Sequence, residues 1–201
     1  MTNRKQIQEQ RMKGYFLDAT KALLKSEGLK SVSVRNVAEK AGYSFATLYN
    51  YFKDVQELVF LCVEDFQQEC AEHAKMRTEK ISHGKKKIKG IVLAYLEYFV
   101  QYPGVFELFF MERMTDLGRK QPTSALIVSF LDKLCSEEWD HCIQKQLIPP
   151  KEAEAIKACL QTTVTGLLLL YLNRHDPAGY DEFLKRANQQ VDFLLDHSFT
   201  K

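Results

Sequence analysis

Apolar residues recur along nearly the whole chain at the three-to-four-residue spacing of a helix, and no stretch alternates apolar and polar positions between hairpin turns. An all-α fold follows. Met12, Phe16, Ala19 and Leu23 form one stripe on a first helix from about Arg4 to Glu27, and Gly28 stands where a helix stops. A second helix runs from its N-cap Ser33 to about Lys40, with Val34, Val37, Ala38 and Ala41 on one face, and Gly42 supplies a turn. Ser44 then caps a third helix. Leu48 and Phe52 point inward on it, Ala46, Thr47, Tyr49 and Asn50 lie around the other side, and Phe45 and Tyr51 fall near the edges of the inward face. A fourth helix, long for its neighbours, starts near Lys53 or Asp54 and runs to about Lys75.

Beyond it, MRTEKISHGKKKIKG is basic and interrupted by glycine, which suits a boundary between modules. Five further helices follow, at about Lys86 to Gln101, from Val105, from Thr123 to Lys145, from Lys151 to Asn173 and from Tyr180 to His197, about nine in all. The pattern predicts a three-helix front module over residues 1–55, the fourth helix to about residue 75 as connector, and a second helical domain over 76–201.

Composition adds little until charge is divided along the chain. An apolar fraction of 45% with 27% charged residues is that of an ordinary globular protein. The segment MTNRKQIQEQR has no apolar stretch behind its charges, and the longest uncharged run, Ala158 to Asn173, is shorter than a bilayer span and contains Gln161, Thr162, Thr163 and Thr165. These features predict a soluble, cytoplasmic protein that does not enter a membrane. The net charge of +2 conceals an asymmetry: residues 1–55 hold ten Lys/Arg against five Asp/Glu, and the remainder is net negative. The first quarter therefore favours polyanions.

Enzyme chemistry finds no constellation. Glu138 and His141 have the i, i+3 spacing of a di-metal helix pair without a second such pair, and no glycine loop is built for phosphate. Five cysteines (Cys62, Cys70, Cys135, Cys142, Cys159) include no C-x-x-C; Cys135 and Cys142 with His141 could approach a metal, but buried small apolar residues are the ordinary reading. No cofactor or metal is implied.

Two short helices joined through Ala41-Gly42-Tyr43, behind a supporting helix and inside the basic segment, match the helix-turn-helix plan, whose second helix enters the major groove of double-stranded DNA. Ala46 leaves room for close approach, Thr47 and Asn50 can donate and accept, and Tyr49 and Tyr51 can offer hydroxyls to phosphate. The competing reading packs those tyrosines against neighbouring helices. The run SVSVRNVAEKAGYSFATLYNYFKDVQEL, Ser31 to Leu58, resembles the TetR family of bacterial transcriptional regulators, with its capped Val-Arg helix, its Ala-Gly-x-Ser turn, its Thr-Leu-Tyr and the closing Phe. The likeness covers about the first third of the chain; past residue 75 no motif of comparable specificity appears.

The resemblance implies that Ser33 and Arg35 touch phosphate or base, that Thr47, Tyr49 and Tyr51 contact the backbone, and that Phe45, Ala46 and Asn50 are candidates for base readout. Phe45 could equally make a staple-like contact inside the module. Ser44 and Lys53 complete the candidate DNA-binding set; where the family commonly has a lysine this chain has Val55, and Lys53 is the available substitute.

ACLQTTVTGLLLLYL presents leucines all round its helix, so a monomer would leave some exposed. With the final helix this reads as a homodimer surface, made of Leu160, Val164, Gly166, Leu167, Leu168 and Tyr171 on one helix and Phe183, Ala187, Val191 and Leu194 on the other, as the resemblance also implies. A TetR-like regulator would bind a small effector within the intervening helices. The candidate lining is Tyr95, Tyr98, Phe99, Tyr102, Phe106, Phe109, Phe110 and Met114, with Trp139 and Thr163 as polar-capable neighbours, and the implied ligand is mostly apolar or aromatic. The expected function is a repressor, homodimeric on a near-palindromic operator and released by that effector. The alternative is a TetR-like DNA-binding protein without a small ligand, its second domain serving only dimerisation or protein partners.

Overall fold

A computed structural model describes residues 2–111 and 123–196, and every regular element among them is helical. The order is α1 (Thr2–Glu27), a 3-10 turn at Leu29–Ser31, α2 (Val34–Ala41), α3 (Phe45–Tyr49), α4 (Val55–Thr78), α5 (Lys85–Gln101) and α6 (Pro103–Phe106), the last continued by a π turn at Glu107–Met111. After the undescribed stretch come α7 (Thr123–Val128), α8 (Phe130–Gln144), α9 (Pro150–Arg174) and α10 (Tyr180–Asp196).

Two boundaries differ from the pattern reading. The single helix expected from Thr123 to Lys145 is two, because Ser129 (φ −82°, ψ 0°) takes the bridge conformation and interrupts the ladder. The helix expected from Val105 begins at Pro103, where a proline lacking its N–H suits the first turn.

The chain divides into two compact units, Met1–Gln67 with Tyr102–Ile127, and Gln68–Gln101 with Val128–Lys201. In the first, Phe16, Ala19 and Leu23 of α1, Val37 of α2, Leu48 of α3, Phe52 and Leu58 form one buried cluster, with Met12, Leu17, Tyr51 and Leu61 against it. Burying one such side chain is worth about 1.5–3 kcal/mol. α6 lies on α1 so closely that a Cβ at Gly104 would run into the Leu24 carbonyl oxygen, so only glycine fits there. The Lys25 ammonium sits 4.4 Å from the Tyr102 ring centroid, and Lys21 pairs with Asp65 at 2.9 Å.

α5 is the core helix of the second unit, burying Ile88, Val92, Tyr95, Leu96 and Phe99, with α8, α9 and α10 packed on it. Its start is held from α8. The Gly84 N–H donates to Glu138 Oε2 at 2.8 Å, His83 Nδ1 lies 2.9 Å from Oε1, and the Lys87 ammonium lies 3.2 Å from the same oxygen. Burial alone would raise the Glu138 carboxyl, but those three partners together hold it below its ordinary value. Lys85 and Lys89 pair with Asp196 and Asp192 of α10 at 2.9 and 2.7 Å. Among the described residues α9 is long and apolar enough, by length and composition, to cross a membrane; here Ile156, Leu160, Val164 and Leu168 are buried and the helix packs with α5, α8 and α10, as a core helix does.

Candidate nucleic-acid interface

The geometry of α2 and α3 is written by side chains next to them in sequence. Ser33 caps α2 by accepting the Asn36 N–H at 3.1 Å, and the Asn36 side-chain amide donates to the Ser31 carbonyl at 2.8 Å. At the other end Gly42 takes φ 78°, ψ 25°, the left-handed region that costs a side chain dearly, and the Tyr43 N–H closes on the Ala38 carbonyl at 2.9 Å. Ser44 then starts α3, accepting the Thr47 N–H at 3.2 Å, with the two hydroxyl oxygens 2.9 Å apart. The next start is fixed in the same manner: Glu57 N–H donates to Asp54 Oδ1 and the Lys53 N–H to Glu57 Oε2.

These caps aim α3 so that Leu48 alone of its residues is buried, while Phe45, Ala46 and Tyr49, with Asn50 at its C-terminus, face outward. Phe45 is 63% exposed, so no staple contact inside the module occupies it. Ser33, Arg35, Ser44 and Lys53 are also exposed, and Thr47 is half-buried beneath the Ser44 cap. Tyr51 leans on Phe16, ring centroids 6.3 Å apart, and is therefore shared between core and surface. From Phe45 to Asn50 the exposed set offers a ring, a small residue, a hydroxyl and an amide within about one and a half turns, with the cations Arg35 and Lys53 outside α3, a mixture chemically suited to base edges and phosphate.

One feature escaped the sequence reading. Tyr43, in the turn itself, stacks on Tyr15 of α1 at 6.0 Å and lies 5.6 Å from the Phe16 ring, and both tyrosines keep part of their surface exposed. Tyr15 was legible only as the neighbour of a core phenylalanine.

Residues 16–62 match the family described as bacterial regulatory proteins, tetR family. Through this segment the chain resembles the TetR family. The fold of TetR-family regulators extends over the rest. A TetR family transcription regulator from Marinobacter aquaeolei VT8 is similar at TM-score 0.68 and 19% identity, covering 98% of this chain and 100% of its own. A protein of unknown function from Rhodococcus sp. RHA1 is similar at TM-score 0.74 and 19% identity, covering 94% and 96%. SmeT, the repressor of the Stenotrophomonas maltophilia multidrug efflux pump SmeDEF, is similar at TM-score 0.67 and 13% identity, covering 94% and 91%. At these identities the likeness to the three is one of fold.

The other candidate residues divide between the two units. Tyr95, Tyr98, Phe99, Trp139 and Thr163 belong to the second, and all but Thr163 are buried; Tyr102, Phe106, Phe109 and Phe110 belong to the first, and Met114 lies outside the described residues. In the second unit Tyr95 has Phe99 at 4.7 Å and Phe130 at 5.8 Å, and its buried hydroxyl has no hydrogen-bond partner among the described residues. In the first, Phe106 and Phe110 approach to 5.2 Å.

Of the residues expected to meet a second copy, Leu160, Val164, Leu167, Leu168, Phe183, Ala187 and Val191 are buried inside this chain's own second unit. Gly166, Tyr171 and Leu194 are partly exposed. The apolar side chains left outside are Leu169, Leu170, Tyr180 and Phe193, the last 62% exposed. A helix apolar all round has two candidate faces, and periodicity does not say which one its own chain takes.

Among the described residues no three His, Cys, Asp or Glu converge as a metal site. Glu138, the suspected ligand, is engaged at the start of α5, and burial raises the Cys135 and Cys142 thiols above their ordinary value, Cys135 with help from Asp132 and Glu138 and Cys142 with help from Glu138.

Proposed function

We propose that the protein is a cytoplasmic DNA-binding repressor that grips a near-palindromic operator as a homodimer and is released by a small, mostly apolar or aromatic effector. Residues 1–55 read the duplex, the helix to about residue 75 connects, and 76–201 serve the effector and the second copy. The observation that carries the reading is the outward face of α3 (Phe45, Ala46, Tyr49, Asn50), aimed by the Gly42 turn and flanked by Ser33, Arg35 and Lys53. A face with these groups suits a major groove, and two of them about 34 Å apart suit successive grooves.

Dimerisation through the outer stripe of α9 and α10 would cover Leu169, Leu170 and Phe193, with Gly166 allowing close backbone approach. For the effector, the support is Tyr95: a buried hydroxyl without a partner costs about 1–3 kcal/mol, which a ligand's acceptor or donor would recover. The site is then within the second unit, around Tyr95, Phe99 and Phe130. Release requires that the ligand prefer the conformation with the wrong reader spacing, because equal affinity for both shifts nothing. SmeT, by its description a repressor of an efflux pump, is a precedent for repression on this fold.

The test is selection of bound duplexes from a random library, followed by Thr47→Ala with Tyr49→Phe. Tyr49 is exposed and Thr47 half-buried against the Ser44 hydroxyl, so the double variant should bind the selected duplex roughly tenfold or more weakly, at about 1 kcal/mol for each lost hydrogen bond, with an unchanged dimer mass and a helical content matching the parent by circular dichroism. Equal affinity across a salt titration would remove α3 as the reading helix.

A further inference from the structure

α1 continues well beyond what the fold needs. Its first side chain on the buried cluster is Met12, yet the helix starts at Thr2, and residues 4–11 are all exposed. Those turns bury nothing, and isolated turns of helix are marginal in water. They carry Arg4, Lys5 and Arg11 against one acid, Glu9, which is paired with Lys13 at 3.0 Å.

Placement around the helix gives these charges a direction. At ~100° per residue, with Arg4 at 0°, Gln8 falls near 40°, Arg11 near 340° and Tyr15 near 20°. The core residues Met12, Phe16, Ala19 and Leu23 centre near 90° on the same scale. Arg4, Gln8, Arg11 and Tyr15 therefore make one exposed stripe beside the core face. Tyr15 stacks on Tyr43, which stands between the Gly42 turn and the Ser44 cap of the reading helix. The stripe is thus continuous, through two tyrosine rings, with the start of α3, and it extends about 16 Å from Tyr15 to Arg4 at 1.5 Å per residue.

We infer that the Arg4–Gln8–Arg11–Tyr15 stripe is a second DNA-contacting surface, in which the two arginines neutralise backbone phosphates flanking the half-site and the Tyr15–Tyr43 stack fixes the angle of α1 against the reader. The inference rests on the proposed function. Phosphate is the matching occupant because the stripe is cationic and polar and joins the face proposed above to meet DNA. Such contacts add affinity without sequence preference and register as counterion release, about 0.9 in the slope of log K against log salt for each phosphate.

The experiment uses the full chain and the duplex enriched from the random library, titrated between 50 and 300 mM salt. Arg4→Gln with Arg11→Gln should reduce the slope of the homodimer by roughly 3 to 4, and should weaken a scrambled duplex of equal length by the same factor as the enriched one. Gln8→Arg, on the same stripe, should steepen the slope by about 2. Both variants place good helix formers at exposed positions, and circular dichroism checks that α1 persists. A slope unchanged in both overturns the stripe while leaving the reader standing. Failure of the unaltered protein to enrich any duplex overturns the reader as well. Loss of binding to anionic phosphatidylserine vesicles in the arginine variant, with the DNA slope intact, would reassign the stripe to a membrane surface and overturn the inference.

Discussion

The helix-turn-helix and the second unit are both all-helical and both bury aromatic rings, but they are specified in different ways. In the first, the shape is set by groups within five residues of one another: Ser33 to Asn36, Tyr43 to Ala38, Ser44 to Thr47, Asp54 to Glu57. In the second, α5 is held by Glu138, 54 residues away at Gly84, and by Asp192 and Asp196, more than 100 residues from Lys89 and Lys85. Local capping leaves a mark in sequence as a spacing. Distant pairing leaves only a charged residue on a helix, indistinguishable from a solvated one. The geometry of the helix-turn-helix can therefore be inferred from a short segment, whereas the organisation of the second unit's helices needs coordinates.

The contrast is tested most severely on the outer stripe of α9 and α10. Leu170→Glu with Phe193→Glu places charges at 43% and 62% exposed positions, so the folded protomer loses little, but a seam between copies would carry four buried like charges. The expected result is a monomer by light scattering, operator affinity lower by a hundredfold or more, and a far-ultraviolet spectrum matching the parent. Operator affinity falls because the second reader no longer adds its binding. A dimer that persists would move the interface elsewhere on the second unit.

Next in size is Glu138→Gln. The amide still accepts the Gly84 N–H but loses its charge for Lys87 and His83, so unfolding should become easier by about 1–3 kcal/mol at pH 7. For a chain of this length each kcal/mol moves the melting point by roughly 2–4 °C. Because the carboxyl is held below its ordinary value of 4.5, its contribution is complete above that pH and disappears as pH falls through the lowered folded value. The parent should therefore lose stability on acidification by more than Glu138→Gln, and calorimetry from pH 7 to 3 measures the difference. Parallel curves would mean that the carboxylate at α5 is electrostatically idle.

The all-α fold, the turn at Gly42, both serine caps and the inward Leu48 and Phe52 were legible because each depends on residue type at fixed local spacing. The break at Ser129 was not, since the apolar period runs through it and a serine in mid-helix carries no obligatory signal. Nor was the seating of α6 on α1, where Gly104 lies against the Leu24 carbonyl. On α9 the pattern announced an excess of leucine but not its allocation: Leu167 and Leu168 are buried, while the adjacent Leu169 and Leu170 are exposed.

The smallest expected effect is also the one whose sign matters most. Tyr95 is fully buried, and its phenol is pushed well above its ordinary range by burial first and by Cys70 and Cys135 second. With no partner for that hydroxyl among the described residues, Tyr95→Phe removes a polar group that folding had to dehydrate and keeps the ring against Phe99 and Phe130. The ligand-free protein should then gain up to about 1–2 kcal/mol, visible as a melting point higher by a few degrees. The same change should abolish stabilisation by any compound that hydrogen-bonds the hydroxyl, so a thermal-shift screen of uncharged aromatic ketones and phenols against both proteins separates anchored ligands from adventitious ones. A lower melting point for the phenylalanine variant would mean that an ordered water already satisfies Tyr95 in the ligand-free state. In that case the second unit would be a closed core at this point, like the cluster around Phe16, and the effector would have to be sought away from it.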